Sequence, residues 1–160
     1  MSIAYHPPVP DDDGQRVHLG GANAEFVRIR VLARAQAPDF WDGNWMTCEV
    51  TLRCGGFQGA FQANLRTTGF QKFYAELQAL HTRLSGTAHF AAMEEQLILT
   101  LEGVGRGHIA VHGQAQDVAG TGHVLRFRLD LDQTELGTVM KQVAELLQRY
   151  PVRGTPGGGS

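Results

Sequence analysis

Positions 25–34 alternate, with Val27, Ile29, Val31 and Ala33 set against Arg28, Arg30, Leu32 and Arg34. The same period of two runs through 45–54, where Met46, Cys48, Val50 and Leu52 alternate with Thr47, Glu49, Thr51 and Arg53. It returns in 57–66, with Phe57, Phe61, Ala63 and Leu65 against Gln58, Gln62, Asn64 and Arg66. Successive side chains of a strand point to opposite faces, so a run with one polar side predicts antiparallel sheet wet on one face. Gly55-Gly56 predicts the turn between the last two runs. Four more strands are expected at 87–94, 96–102, 107–116 and 123–131, joined by glycine-rich turns at 103–107 and 120–122.

The period changes to three and four in two places. Phe70, Phe73, Leu77, Leu80 and Leu84 make one apolar stripe, predicting a helix over 68–84 with Thr68 and Gln71 at capping-box spacing. Leu136, Val139, Met140, Val143, Leu146, Leu147 and Tyr150 make a second, over 133–150, with Asp132 as cap, Glu135 three residues on and Pro151 as the stop. Strands in runs, broken by single helices, predict an α+β fold. The expected form is a mainly antiparallel, curved sheet of about six to seven strands with two amphipathic helices on one face. Residues 1–23, with three prolines, Asp11-Asp12-Asp13 and Gly20-Gly21, read as a flexible arm. One globular domain spans 24–152, and the glycine-rich 153–160 reads as a tail.

Composition narrows the function classes. Hydrophobic residues are 42% and charged residues 19% of the chain, with a formal net charge of -2. A protein that neutralises many phosphates needs a basic surplus, so nucleic acid is not the expected partner. No run is long and apolar enough to cross a membrane, and the N-terminus lacks the basic end and apolar run of a signal peptide. These readings point to the cytoplasm. Cys48 and Cys54 lie on one predicted strand, roughly 20 Å apart, too far for a disulfide or a shared metal.

Candidate chemistry is sparse. The glycines of 103–107 lead into strand rather than helix, so they make a hairpin turn and not a phosphate loop. His108 and His112 are too far apart along a strand to share a metal, while His89 and His123 would need neighbouring strands. The serines are Ser2, Ser85 and Ser160, two of them terminal and one after a helix, and they suggest no triad. Glu94-Glu95 fits a turn, and Asp132 serves as a cap beside Asp130. No catalytic residue, metal ligand or cofactor is assigned. A second reading keeps a pocket between sheet and helices for a small molecule or a reaction, with His112, Gln62, Asn64 and Arg128 converging on it.

Two features suggest a protein partner instead. Arg28, Arg30, Arg34, Arg53, Arg66, Arg126 and Arg128 all hold polar strand positions, a potential cationic face for an acidic partner. Asp39-Phe40-Trp41-Asp42-Gly43-Asn44-Trp45 contains both tryptophans in a loop entering a strand; exposed tryptophan beside aspartate is a common binding hot spot. The candidate docking residues are therefore Asp39, Trp41 and Asp42, with Arg28, Arg30, Arg126 and Arg128. Asp42 with Asn44-Trp45 before an alternating strand resembles the WapI-type immunity proteins. So does the element order through Leu125-Arg126-Phe127-Arg128-Leu129 to Arg149-Tyr150-Pro151, over about 25–153. Unlike the expected pattern, the chain has Ala63-Asn64-Leu65-Arg66 where a Pro-Cys pair would precede the first helix. The resemblance implies a non-enzymatic module that binds and neutralises a cognate toxin, without catalysis or cofactor. A monomer or a small homo-oligomer made by edge-strand pairing is compatible with it.

Overall fold

In the computed structural model, which describes residues 14–21 and 24–156, the alternating runs form two sheets rather than one. The first contains β1 (Arg16–Gly20), β2 (Phe26–Arg34), β3 (Trp45–Cys54) and β4 (Phe57–Arg66), paired antiparallel in that order. A short helix, α1 (Phe40–Gly43), interrupts the β2–β3 connection. Helix α2 (Thr67–Arg83) follows β4 directly. The second sheet contains β5 (Thr87–Ala91), β6 (Leu97–Gly105), β7 (His108–Gln116) and β8 (Val124–Asp132), again antiparallel and in sequence order. Helix α3 (Gln133–Arg149) closes the fold.

The expected single curved sheet of six to seven strands is therefore corrected to two four-stranded meanders, each followed by a 17-residue helix. The reason is where α2 packs. It lies on β5 and barely touches β4, so it does not fold back over the first sheet as a crossover helix would, and β5 starts a new sheet. The helices are exchanged between the halves. α2 packs on β5 of the second sheet, α3 packs on β1 of the first, and the two helices pack on each other. Apolar faces of both sheets and both helices merge into one core, from Val17, Ile29, Val50 and Leu65 to Leu99, Val111, Leu129 and Leu146. Gln96, nearly buried, ties the sheets together: its Nε2 donates to the carbonyls of Gln62, Gln116 and Asp117 at 3.2–3.3 Å.

Strand β1 lies inside the stretch read as an arm. Its Val17 and Leu19 are fully buried, and five residues give too short an alternation to stand out beside Gly20-Gly21. Residues 1–13 and 22–23 of that arm and 157–160 of the tail lie outside the described residues. The expected capping box of α2 does not form; its N-cap is Arg66, without a side-chain cap. At α3 the box forms as expected, with Glu135 N donating to Asp132 Oδ1 (2.7 Å) and Asp132 N to Glu135 Oε1 (3.2 Å). The left-handed Leu84 (φ 54°) ends α2, and Gly103 sits so close beneath it that a Cβ there would lie 2.4 Å from Leu84 O.

Candidate protein-docking site

Register fixes which polar residues share a face. On the outer side of the first sheet, one row runs Arg16–Arg30–Glu49–Gln62 and the next His18–Arg28–Thr51–Ala60, followed by Gly20–Phe26–Arg53–Gln58. Four arginines and one glutamate thus occupy a single sheet face. The ion pairs among the described residues lie elsewhere, at Arg128–Asp130 (3.5 Å) and Lys141–Glu145 (3.9 Å). Glu25, at the rim, accepts from Gly55 N instead (3.2 Å). Arg28 is held by aromatic and imidazole contacts. The Arg28 guanidinium lies 4.9 Å from the Phe26 ring centroid, and its Nε donates to His18 Nδ1 at 3.1 Å. The His18 ring stacks on Phe26 at 5.1 Å and its Nε2 meets Gly21 O at 3.2 Å. Accepting at Nδ1 requires a neutral ring with the proton on Nε2. Burial, assisted by the charges of Arg28 and Arg16, lowers the His18 pKa. Burial and Arg16 likewise lower that of Arg28.

The tryptophan loop closes the other end of the same face. Trp45 pairs with Arg66 and continues the outer-face parity of Thr47 and Asn64. The Arg66 guanidinium is buried among three rings, 5.1 Å from Phe40, 5.5 Å from Trp41 and 5.6 Å from Trp45. It donates to Phe40 O at 2.7 Å, while its Nε has no partner. Trp41 remains 57% exposed on top of this stack. Trp45 and Glu49, four residues apart on β3, put the loop roughly 13 Å from the Arg30 row.

Beneath the loop lies Asn44, which is fully buried. Its Oδ1 accepts from Arg34 Nη2 (3.1 Å), Thr67 Oγ1 (2.9 Å) and Arg153 N (2.8 Å), and its Nδ2 donates to Phe40 O (2.8 Å) and Arg153 O (3.0 Å). Its backbone carbonyl takes the Thr67 N–H that begins α2. Asn44 therefore supplies, from 23 positions upstream, the cap that Thr68 was expected to provide. Gly43 is required because Ala37 O would lie 2.3 Å from a Cβ there. Asp39 caps α1 by accepting from Asp42 N (3.1 Å), and Asp42 is exposed.

The expected site residues thus separate. Asp39, Trp41 and Asp42 lie at the loop end of the first sheet's outer face, which also carries Arg28 and Arg30. Arg126 and Arg128 are on the outer face of the second sheet, where Arg126 Nε donates to Gln114 Oε1 (3.3 Å) and Arg128 pairs with Asp130. Arg34 and Arg66 are drawn into the Asn44 and aromatic clusters. Sequence reasoning missed Arg16 and His18, because β1 was not recognised; their alternation with Val17 and Leu19 was the available signal.

The pocket reading is also corrected in its residues. Gln62 and Asn64 face outward on the first sheet, and His112 and Arg128 share a row on the second, so the four do not converge. A groove of about 290 Å³ opens between the sheets, lined by Leu52, Phe57, Phe61, Val124 and Leu125 with Asp117 and His123 at its rim. His89 and His123 belong to opposite edges of the second sheet. Among the described residues no three His, Cys, Asp or Glu side chains are grouped to hold a metal, and no helix is long and apolar enough to cross a membrane. Burial pushes the Cys48 thiol up to about 12.

Comparison with solved structures finds a chain from the Trypanosoma brucei MRP1/MRP2 crystal structures at 8% identity, covering 84% of this chain and 83% of that one with a TM-score of 0.48. Likeness at that level carries no conclusion about fold or partner. No curated protein matches the chain. The model of the WapI-like immunity protein family matches residues 18–151, a span that starts in β1 and ends just beyond α3. The chain belongs to the WapI-like immunity protein family.

Proposed function

We propose that this protein is a non-enzymatic, cytoplasmic immunity module that neutralises a cognate toxin by docking it on the outer face of the first sheet. The observation that carries the reading is the unbalanced charge of that face: Arg16, Arg28, Arg30 and Arg53 against Glu49, with no ion pair among them. Such a face attracts an acidic surface and sets its approach and register. Trp41, half exposed and backed by a buried arginine, offers a rigid aromatic anchor at one end. Asp39 and Asp42 beside it add acceptors for donors on the partner. Arg126 and Arg128 are on the other sheet and lie outside the proposed surface.

The test is neutralisation. A growth-inhibiting toxin captured from source cells should be inactivated by the wild-type protein. Trp41→Ala should weaken the complex by about 2 kcal/mol, or roughly thirtyfold, with the thermal midpoint of the free protein little changed. A toxin neutralised equally well by the Trp41→Ala protein would remove the tryptophan loop from the interface.

A further inference from the structure

The edge of a sheet exposes unpaired N–H and C=O groups, and proteins usually blunt such edges with charge, brevity or cover. Three of the four edges here are blunted. β8 carries Arg126, Arg128, Asp130 and Asp132, β5 is five residues long, and β1 is short, carries Arg16 and is packed by α3. β4 is different. Among the described residues it pairs only with β3, and its run Phe57-Gln58-Gly59-Ala60-Phe61-Gln62-Ala63-Asn64-Leu65 contains no charge and no proline. Residues 57–60 are exposed, Phe57 to 65%. Their inward side overhangs the groove of about 290 Å³ between the sheets. The bond from Gln96 to Gln62 O marks where the second sheet meets this strand and the open run ends.

We propose that this open edge pairs with the same edge of a second copy of the chain, β4 to β4, antiparallel about a two-fold axis at Gly59. An antiparallel edge is its own complement under such an axis. Centring it on Gly59 sets Phe57 of each copy opposite Phe61 of the other, in the aromatic cross-strand pairing that stabilises sheets. A Cβ at Gly59 would meet nothing within 4 Å, so the axis has room for the approach. The paired runs bring no like charges together. Phe57, Phe61 and Val124 of both copies, with the two edges, would cover on the order of 1,000 Å² in total, the lower end of specific interfaces, so the dimer is weak and forms in the micromolar range. The dimer leaves the arginine face of each copy open and stands independently of the toxin reading.

Sedimentation equilibrium of the full chain, from about 1 µM to about 300 µM, reads this directly. The mass should rise from monomer to dimer across that range. Gly59→Lys sets two like charges opposite each other at the axis and should weaken the dimer by about tenfold or more, while Gly59→Thr should retain it. Circular dichroism and thermal melts should match the wild type for both. A wild-type chain that stays monomeric throughout would overturn the proposal and leave the edge to a strand of another protein. A dimer untouched by Gly59→Lys, or lost equally in both variants, would overturn it too.

Discussion

Asn44 is bonded within the protein through both side-chain atoms and its carbonyl, to α1, β2, α2 and the chain after α3. Asn44→Ala would take partners from the buried Thr67 Oγ1 and from the Arg153 backbone, while Phe40 O keeps Arg66. The expected cost is about 3 kcal/mol, read as a lower urea midpoint with an unchanged m-value. A loss under about 1 kcal/mol would show that water replaces the side chain. The Asp-Gly-Asn-Trp stretch was visible in the sequence as a loop entering a strand; its joining of segments 109 residues apart was not, because such partners carry no local pattern. His18 gives a pH dependence. Its pKa is lowered on folding, so below about 6.5 the unfolded chain binds the proton more readily. Its contribution is therefore complete above that pH and is lost as the pH falls through the folded value. His18→Gln should lessen the drop in urea midpoint between about pH 7.5 and about pH 5. An identical drop in both proteins would assign the pH dependence to other groups.

Among the elements, seven strands and the two long helices were legible, because each repeats its period over many residues. The elements missed are the short ones. β1 buries only Val17 and Leu19, and α1 is a single turn inside a stretch rich in turn residues. Helix starts divide the same way. Asp132→Ala should cost about 1 kcal/mol, because the α3 cap is local and complete; a thermal melt indistinguishable from wild type would contradict that. At α2 the local candidate is idle, so Thr68→Ala should shift the melting point little, whereas Thr67→Ala, which loses the bond to Asn44, should lower it clearly. Gly103→Ala meets Leu84 O at 2.4 Å and should also destabilise, by about 2 kcal/mol; refolding to full stability would mean that the end of α2 can move aside.

For the whole molecule, alternation identified faces but not sheets. Nothing in a strand's own residues tells whether the next strand pairs with it across a helix, which is why one curved sheet was expected where there are two. The same gap affected the arginines. Their polar parity holds except at Arg34, which a β-bulge at Leu32 sets opposite the buried Met46; register then divides the rest into a dense group on the first sheet and a pair on the second, with Arg34 and Arg66 turned to structural use. The division gives the docking claim its sharpest test, a titration of the neutralised toxin against Arg28→Glu/Arg30→Glu and Arg126→Glu/Arg128→Glu proteins. The account predicts that the first pair weakens binding by about a hundredfold and flattens its salt dependence, with the second pair within about twofold of wild type. Equal losses, or the larger loss on the second sheet, would contradict it.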